Sequence, residues 1–141
     1  MATNKQLISV LGAIPLFEGL SKRQLKLVAD LAEVASFMAG ASIVREGDEG
    51  ESFFVVLQGQ AKVTVGGRTV HRVLPGDHFG EISLLDGDAR TASVVSETPM
   101  TMLMISRKNL NQLLLKDPVL SLELLKSLAR ALRRIDRSLA R

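Results

Sequence analysis

Ala61-Lys62-Val63-Thr64-Val65 alternates apolar and polar residues, runs into Gly66-Gly67, and is followed by a second strand-like run from Thr69 to Leu74. Alternation with period two is the pattern of a half-buried β-strand. A Gly-Gly pair between two such runs is a two-residue hairpin turn, because both positions take a positive φ without a Cβ clash. The same texture extends in both directions. Ser42–Arg45, Phe53–Leu57, Thr91–Val95 and Thr101–Ile105 are short runs rich in Val, Ile, Phe and Thr, cut by glycines and by the Pro75-Gly76-Asp77 turn. Many short strands at close spacing predict a small sandwich or barrel between Ala41 and Ile105.

Helical signals flank this segment. From about Lys5 to Ala35, Leu7 and Leu11 and then Leu25, Val28, Leu31 and Ala32 recur at three- and four-residue steps, so helix is expected throughout. Pro15 interrupts the first helix, and Ser21 with Gln24 has the spacing of a capping box that starts the second. Asn109 to Arg141 reads as helix again, divided at Asp117-Pro118 with the proline at a favoured first-turn position. The expected organisation is one domain over 1–141: helices over 1–38, the β segment over 39–106 and helices over 107–141.

Composition narrows the function classes. The chain has 141 residues, 46% of them hydrophobic and 23% charged, enough apolar material for a core. No apolar run approaches the ~20 residues of a membrane span, and the N-terminus lacks the pattern of a signal peptide. With no cysteine there are no disulfides and no thiolate chemistry, and a cytoplasmic location is the default. Without Trp or Tyr, base stacking would rest on five Phe, a poor basis for single-strand binding. His71 and His78 are the only histidines, too few for a metal site of cupin type, and no Ser–His–acid set is evident. The reading is of a binding protein, not an enzyme, with no metal and no cofactor.

The segment Phe79-Gly80-Glu81-Ile82-Ser83-Leu84-Leu85-Asp86-Gly87-Asp88-Ala89-Arg90-Thr91-Ala92-Ser93-Val94 stands apart. Gly80 allows a positive φ or close ligand approach. One helical turn over Glu81–Leu85 would leave N–H groups free for an anion, and Arg90, folded back by Asp86-Gly87-Asp88, would add a guanidinium. Glu81 would be repelled by a phosphate but suits a sugar hydroxyl. The ligand implied is a nucleotide with few charges. The alternative is a structural loop in which Glu81 and Arg90 pair at the surface, worth about 0–1 kcal/mol.

This segment resembles the phosphate-binding cassette of the cyclic nucleotide-binding domain family, here residues 79–94. Ile14-Pro15-Leu16-Phe17 with Leu20, Arg45-Glu46-Gly47-Asp48, Phe53-Phe54-Val55-Val56-Leu57-Gln58-Gly59 and Leu74-Pro75-Gly76-Asp77 resemble further family features in order. The family usually has proline before the arginine; here it is Ala89, and Ser83 stands where alanine is commoner. The resemblance implies an α+β fold: an eight-stranded β-roll of jelly-roll type, a barrel-like double-stranded β-helix, with flanking helices. It implies that cAMP, with cGMP second, binds as ligand. Arg90 would hold the cyclic phosphate with Thr91 and the backbone at Ile82, Ser83 and Ala92. Glu81, beside Gly80, would take the ribose. Val63 and Val73 would form the apolar wall for the base, with Leu132, Arg130 or Arg134 reaching it from a C-terminal helix that closes on the ligand.

That last helix has its own pattern. Leu125, Leu128, Leu132, Ile135 and Leu139 step by three and four, as an a/d heptad seam does. Its e and g positions, Ala129, Ala131, Asp136 and Ser138, offer no complementary charges, so the favoured reading lays this helix on the chain's own surface; a homodimer is the other option. Lys126, Arg130, Arg133, Arg134, Arg137 and Arg141 oppose only Asp136, giving this stretch +5 and the rest of the chain −2. Such a face attracts polyanions non-specifically, but specific DNA reading needs a second recognition element and is not expected. The function expected is a cyclic nucleotide sensor whose effector is a second domain or a partner chain. The alternative is a nucleotide-independent interaction or dimerisation module with a degenerate site.

Overall fold

The computed structural model describes residues 4–80 and 90–139. The chain divides into two compact units, one of Met1–Leu31 with Leu110–Arg141 and one of Ala32–Asn109.

The second unit consists of strands. β1 (Glu33–Phe37), β2 (Ser42–Val44), β3 (Ser52–Gln58), β4 (Ala61–Val65), β5 (Arg68–Val73), β6 (His78–Phe79), β7 (Ser93–Ser96) and β8 (Met100–Ser106) form two four-stranded sheets, ordered β1-β8-β3-β6 and β2-β7-β4-β5. All the pairings are antiparallel. One apolar cluster is shared between the sheets: Phe54, Val56, Met100 and Met102 from the first, Ala61, Val63, Val73 and Val94 from the second. This is a jelly-roll of two packed sheets, not a closed barrel. The Gly66-Gly67 turn forms as expected, with φ of 57° and 80° at its two glycines, and the Gly66 N–H also donates to the Glu46 carboxylate at 2.8 Å.

Two strands depart from the sequence reading. The helix expected through Ala35 ends at Ala29, with Asp30 as its C-cap, and Glu33–Phe37 is β1 instead. The residues Leu31 and Ala32 continue the helical period, but the next five pair in continuous register with β8, from Glu33↔Met104 to Phe37↔Met100. That pairing turns Phe37 onto the shared core, edge-on to Phe54 with ring centroids 6.4 Å apart. Tertiary pairing outweighs a weak local preference. The second is β6, two residues long, which leads directly into the glycine-rich segment. It pairs Phe79 with Phe54, and the two rings stack at 5.0 Å.

The first unit contains α1 (Asn4–Gly12), a 3-10 turn (Pro15–Phe17), α2 (Lys22–Ala29) and the helix from Pro118 to Leu139. Counting the preceding helix Arg107–Lys116 as α3, which begins in the strand unit, the last is α4. The Ser21–Gln24 capping box is formed: the Gln24 N–H donates to Ser21 Oγ at 3.2 Å and the Ser21 N–H to Gln24 Oε1 at 2.9 Å. Asp117 caps α4 by accepting from the Leu120 N–H at 3.0 Å, so Asp117-Pro118 both stops one helix and starts the next. The buried stripe of α4 is Leu120, Leu124 and Ser127. This corrects the expectation that the heptad seam lies on the chain's own surface: Leu125, Leu132, Ile135 and Leu139 are exposed.

Arg72 of β5 donates to Glu97, just beyond β7, through Nε at 2.8 Å. The Arg72 hydrogen bond holds the Glu97 carboxyl below the usual carboxylate range. A group with a depressed folded-state pKa adds stability above its unfolded pKa and loses it as pH falls through the folded value. Wild type is therefore expected to be more stable than Glu97→Gln at neutral pH, with the difference vanishing on acidification. Urea midpoints of both proteins across the acid range check this.

Candidate functional site

The site lies within the strand unit, where the β2–β3 loop meets the segment between β6 and β7. Two backbone hydrogen bonds fix residue 90 from both sides. The Arg90 N–H donates to the Asp48 carbonyl at 2.7 Å, and the Gly47 N–H donates to the Arg90 carbonyl at 3.0 Å. The neighbouring Glu46 N–H donates to Ser93 Oγ at 2.9 Å. Gly47 has φ of +85°, so the loop turns back in a conformation that a side chain would strain.

Held in this way, the Arg90 side chain turns inward and is only 8% exposed. Its Nη2 donates to the Ser52 carbonyl at the start of β3. Its guanidinium lies against Gly80, whose φ is +91° and where a Cβ would collide with the guanidinium and sit 3.0 Å from the Ser52 carbonyl oxygen. Position 80 therefore requires glycine for two reasons, backbone conformation and space. Burial pushes the Arg90 guanidinium below its ordinary pKa, though arginine remains charged at any physiological pH. Among the described residues no carboxylate forms an ion pair with it. A guanidinium has five N–H donors, and among the described residues it is the Ser52 carbonyl that accepts from it. Arg90 itself is buried; Glu81, its partner in the loop pairing considered above, lies outside the described residues.

The cavity in front of Arg90 has a volume of about 200 Å³ and is lined by Ile43, Val44, Arg45, Asp48, Glu49, Glu51, Ser52, Phe54 and Arg90. Whole small-molecule sites span roughly 300–1,000 Å³, so this is the size of the anion end of a ligand. Among the described residues its lining includes two arginines, three acidic residues and an apolar patch from β2 and β3. No group of three or more His, Asp or Glu residues among the described residues could hold a metal ion.

The structure brings together Gly80 and Arg90. Thr91 is exposed, and Ala92 is half-buried against the shared core. Val63 and Val73 are buried in that core between the sheets and do not line the cavity. Glu81, Ile82 and Ser83 lie outside the described residues. In the helical unit, Arg130 donates to Ser127 Oγ at 3.1 Å and lies against Gly19, Arg134 pairs with Glu18 at 3.3 Å, and Leu132 is exposed. Those two arginines have partners inside their own unit. Sequence reading missed the Ser52 carbonyl, the Asp48 carbonyl and the apolar lining from Ile43, Val44 and Phe54. Carbonyl contacts leave no trace in residue type. The one available signal was Arg45-Glu46-Gly47-Asp48, a charged turn with a central glycine.

Comparison with known proteins bears on the family. Residues 34–117 match the family model of the cyclic nucleotide-binding domain. The chain is 34% identical over 113 residues to a cGMP-dependent protein kinase of Toxoplasma gondii, covering 80% of this chain and 11% of the kinase. It is 32% identical over 107 residues to the cAMP-dependent protein kinase regulatory subunit of Schizosaccharomyces pombe, covering 75% of this chain and 26% of that protein. It thus spans a tenth to a quarter of these relatives' length. A solved cyclic nucleotide-binding domain from Methylobacillus flagellatus superposes with a TM-score of 0.75 at 26% identity, over 96% of this chain and 79% of that one. The fold, the buried arginine beside its glycine and these likenesses lead to one conclusion: the chain belongs to the cyclic nucleotide-binding domain family.

Proposed function

We propose that this chain is a sensor module that binds a cyclic nucleotide, cAMP in first place and cGMP in second, and passes the signal to an effector domain or partner chain. One observation carries the reading: Arg90 is a guanidinium buried against Gly80, fixed by its own backbone and lining a small cavity. Burying a charge is costly, and a bound anion offsets that cost. A phosphate suits it because a guanidinium donates two parallel hydrogen bonds to two phosphate oxygens. In this reading Arg90 binds the cyclic phosphate, helped by the Thr91 hydroxyl and the N–H groups of Ile82, Ser83 and Ala92. Glu81, next to Gly80, accepts from the ribose hydroxyl, and the apolar side chains around Val63 and Val73 back the base. The kinships to a cGMP-dependent kinase and to a cAMP-dependent kinase regulatory subunit support both nucleotides as candidates.

The experiment is calorimetric titration of nucleotide-stripped protein with cAMP and then cGMP, with 5′-AMP as control. Arg90→Ala is expected to weaken binding of the cyclic nucleotide by ~1.5–3 kcal/mol, the scale of hydrogen bonds to a charged group, with the far-UV dichroism unchanged. A folded mutant that binds as well as wild type overturns the assignment.

Gly80→Ala keeps the arginine but puts a Cβ where its guanidinium lies. It is expected to reduce affinity as far as Arg90→Ala does, and combining the two should add little, because both remove one interaction.

In the same reading, ligand shifts the population toward a state in which the C-terminal helix closes, by no more than its differential affinity for the two states. Amide exchange over residues 130–139 is expected to slow on adding saturating cyclic nucleotide and to be unchanged by it in Arg90→Ala.

A further inference from the structure

We infer that the helical unit rests on an anionic lipid surface through the second half of α4, with Leu132, Ile135 and Leu139 entering the apolar boundary and Arg133 and Arg137 meeting the headgroups. Two observations coincide there. The first is an uncovered apolar stripe. α4 is anchored in its first half by Leu120, Leu124 and Ser127, all buried. From Leu132 to Leu139 every residue is exposed, including Leu132 at 67%, Ile135 at 57% and Leu139 at 79%. Large apolar residues aligned on one side, as opposed to scattered singly, mark an interaction surface. The second is charge. Residues 1–31 and 110–141 carry eleven Lys and Arg against five Asp and Glu, while the strand unit carries seven against ten. The positive charge of the chain is thus gathered in the unit that bears the stripe. Lys22, Arg23 and Lys26 of α2 are exposed, as are Arg133 and Arg137, and among the described residues those two α4 arginines form no ion pair.

Charge and composition identify the occupant. The arginines fall on the other side of the helix from Leu132 and Leu139, the pattern of a helix that lies in the plane of a membrane interface. Their long side chains can reach phosphate headgroups while the leucines enter the acyl boundary. Among the described residues no helix is long and apolar enough to cross a membrane, so α4 lies along the surface. A second copy is disfavoured, because it would bring two basic units together, whereas an anionic surface attracts the whole unit. An acidic protein fits less well. Protein hot spots are rich in Trp, Tyr and Arg and poor in Leu, and this stripe is Leu and Ile, which enter hydrocarbon readily. Asp136 stands at the border of the stripe, a charge that opposes insertion. The inference does not rest on nucleotide binding.

The test is flotation of the 141-residue protein, without nucleotide, with phosphatidylserine vesicles and separately with phosphatidylcholine vesicles. Binding to phosphatidylserine alone, released by raised salt, is expected. Leu132→Glu should weaken it roughly tenfold or more, and Arg133→Gln about fivefold, the scale of one cation near such a surface. Both side chains are exposed, so the fold is expected to hold; if Leu132→Glu loses helical dichroism, Leu132→Ser serves, with the same direction of effect. Asp136→Asn should strengthen binding. Val70→Ser, at an exposed apolar position of β5, should leave it unchanged. Failure to float with phosphatidylserine overturns the inference, as does flotation indifferent to Leu132, which is attraction of charge alone. Equal flotation with phosphatidylcholine overturns it too. A protein that ignores both vesicles but doubles its 15.3 kDa mass, or binds polyglutamate, only while Leu132 is intact gives the stripe to a second copy or to an acidic protein instead.

Discussion

The arrangement of the strand unit at its functional end depends on keeping one charged side chain away from water. Arg90 is buried although a free guanidinium is among the most costly groups to desolvate. Its position is not left to the side chain. Hydrogen bonds at its own N–H and carbonyl, to Asp48 and from Gly47, hold the backbone, and the Ser52 carbonyl receives the guanidinium. Asp48 and Gly47 belong to the β2–β3 loop and Ser52 begins β3, so the position of Arg90 ties that loop, the start of β3 and the end of β6 together. Gly80 completes the set by having no side chain: any Cβ there would occupy the space of the guanidinium.

How much of this was legible beforehand follows from the range of each interaction. Ser21–Gln24, Asp117-Pro118 and Gly66-Gly67 act within four residues, and all three appear in the structure as their residue types imply. β1 was not legible, because Glu33–Phe37 becomes a strand only by pairing with β8 some seventy residues later. β6 was hidden for the same reason: two residues have no periodicity, and Phe79 is held by Phe54 from another strand. At the site, Gly80 and Arg90 could be named because their chemistry resides in their side chains, or in the lack of one. The Ser52 and Asp48 carbonyls could not, since every residue carries the same group. The heptad seam was visible as a pattern, but its exposure was not. Periodicity says which residues share a face, while packing decides which face is covered, and Leu120, Leu124 and Ser127 occupy the buried side.

The composition of the sheets explains why this scaffold can carry such a site at its edge. β3 and β8 pair from Ser52↔Ser106 to Gln58↔Thr101, with a register shift after Val56. Phe53, Val55, Leu103 and Ile105 are buried on one face, and Phe54, Val56 and Met102 on the other. Close packing on both faces holds these strands, because each apolar set fits its own neighbours and a slip of one residue would unpack both. Ser52 begins this pair and is thereby fixed, so its carbonyl is a rigid acceptor. Ile43 and Val44 come from β2, whose pairing with β7 is interrupted between Ser42 and Val44. The site is built between the regular end of the β3–β8 pair, where Ser52 lies, and β2, whose ladder with β7 shifts register.

The carboxyl groups around the cavity bear on which anion it can accept. Asp48, Glu49 and Glu51 line the same space as Arg45 and Arg90. Their summed field works against a second negative charge even where the first is neutralised by Arg90. A cyclic phosphodiester carries one negative charge at neutral pH, whereas a phosphate monoester carries about −1.5 to −2. Ring closure of the nucleotide therefore removes the charge that this lining would repel. On the proposed reading, selection against 5′-monophosphates needs no steric gate: a single buried guanidinium among carboxylates already favours the singly charged ligand. The excess of positive charge in the chain lies elsewhere in the sequence, on the arginine face of α4, so on the proposed reading it is Arg90 that supplies the attraction for the phosphate.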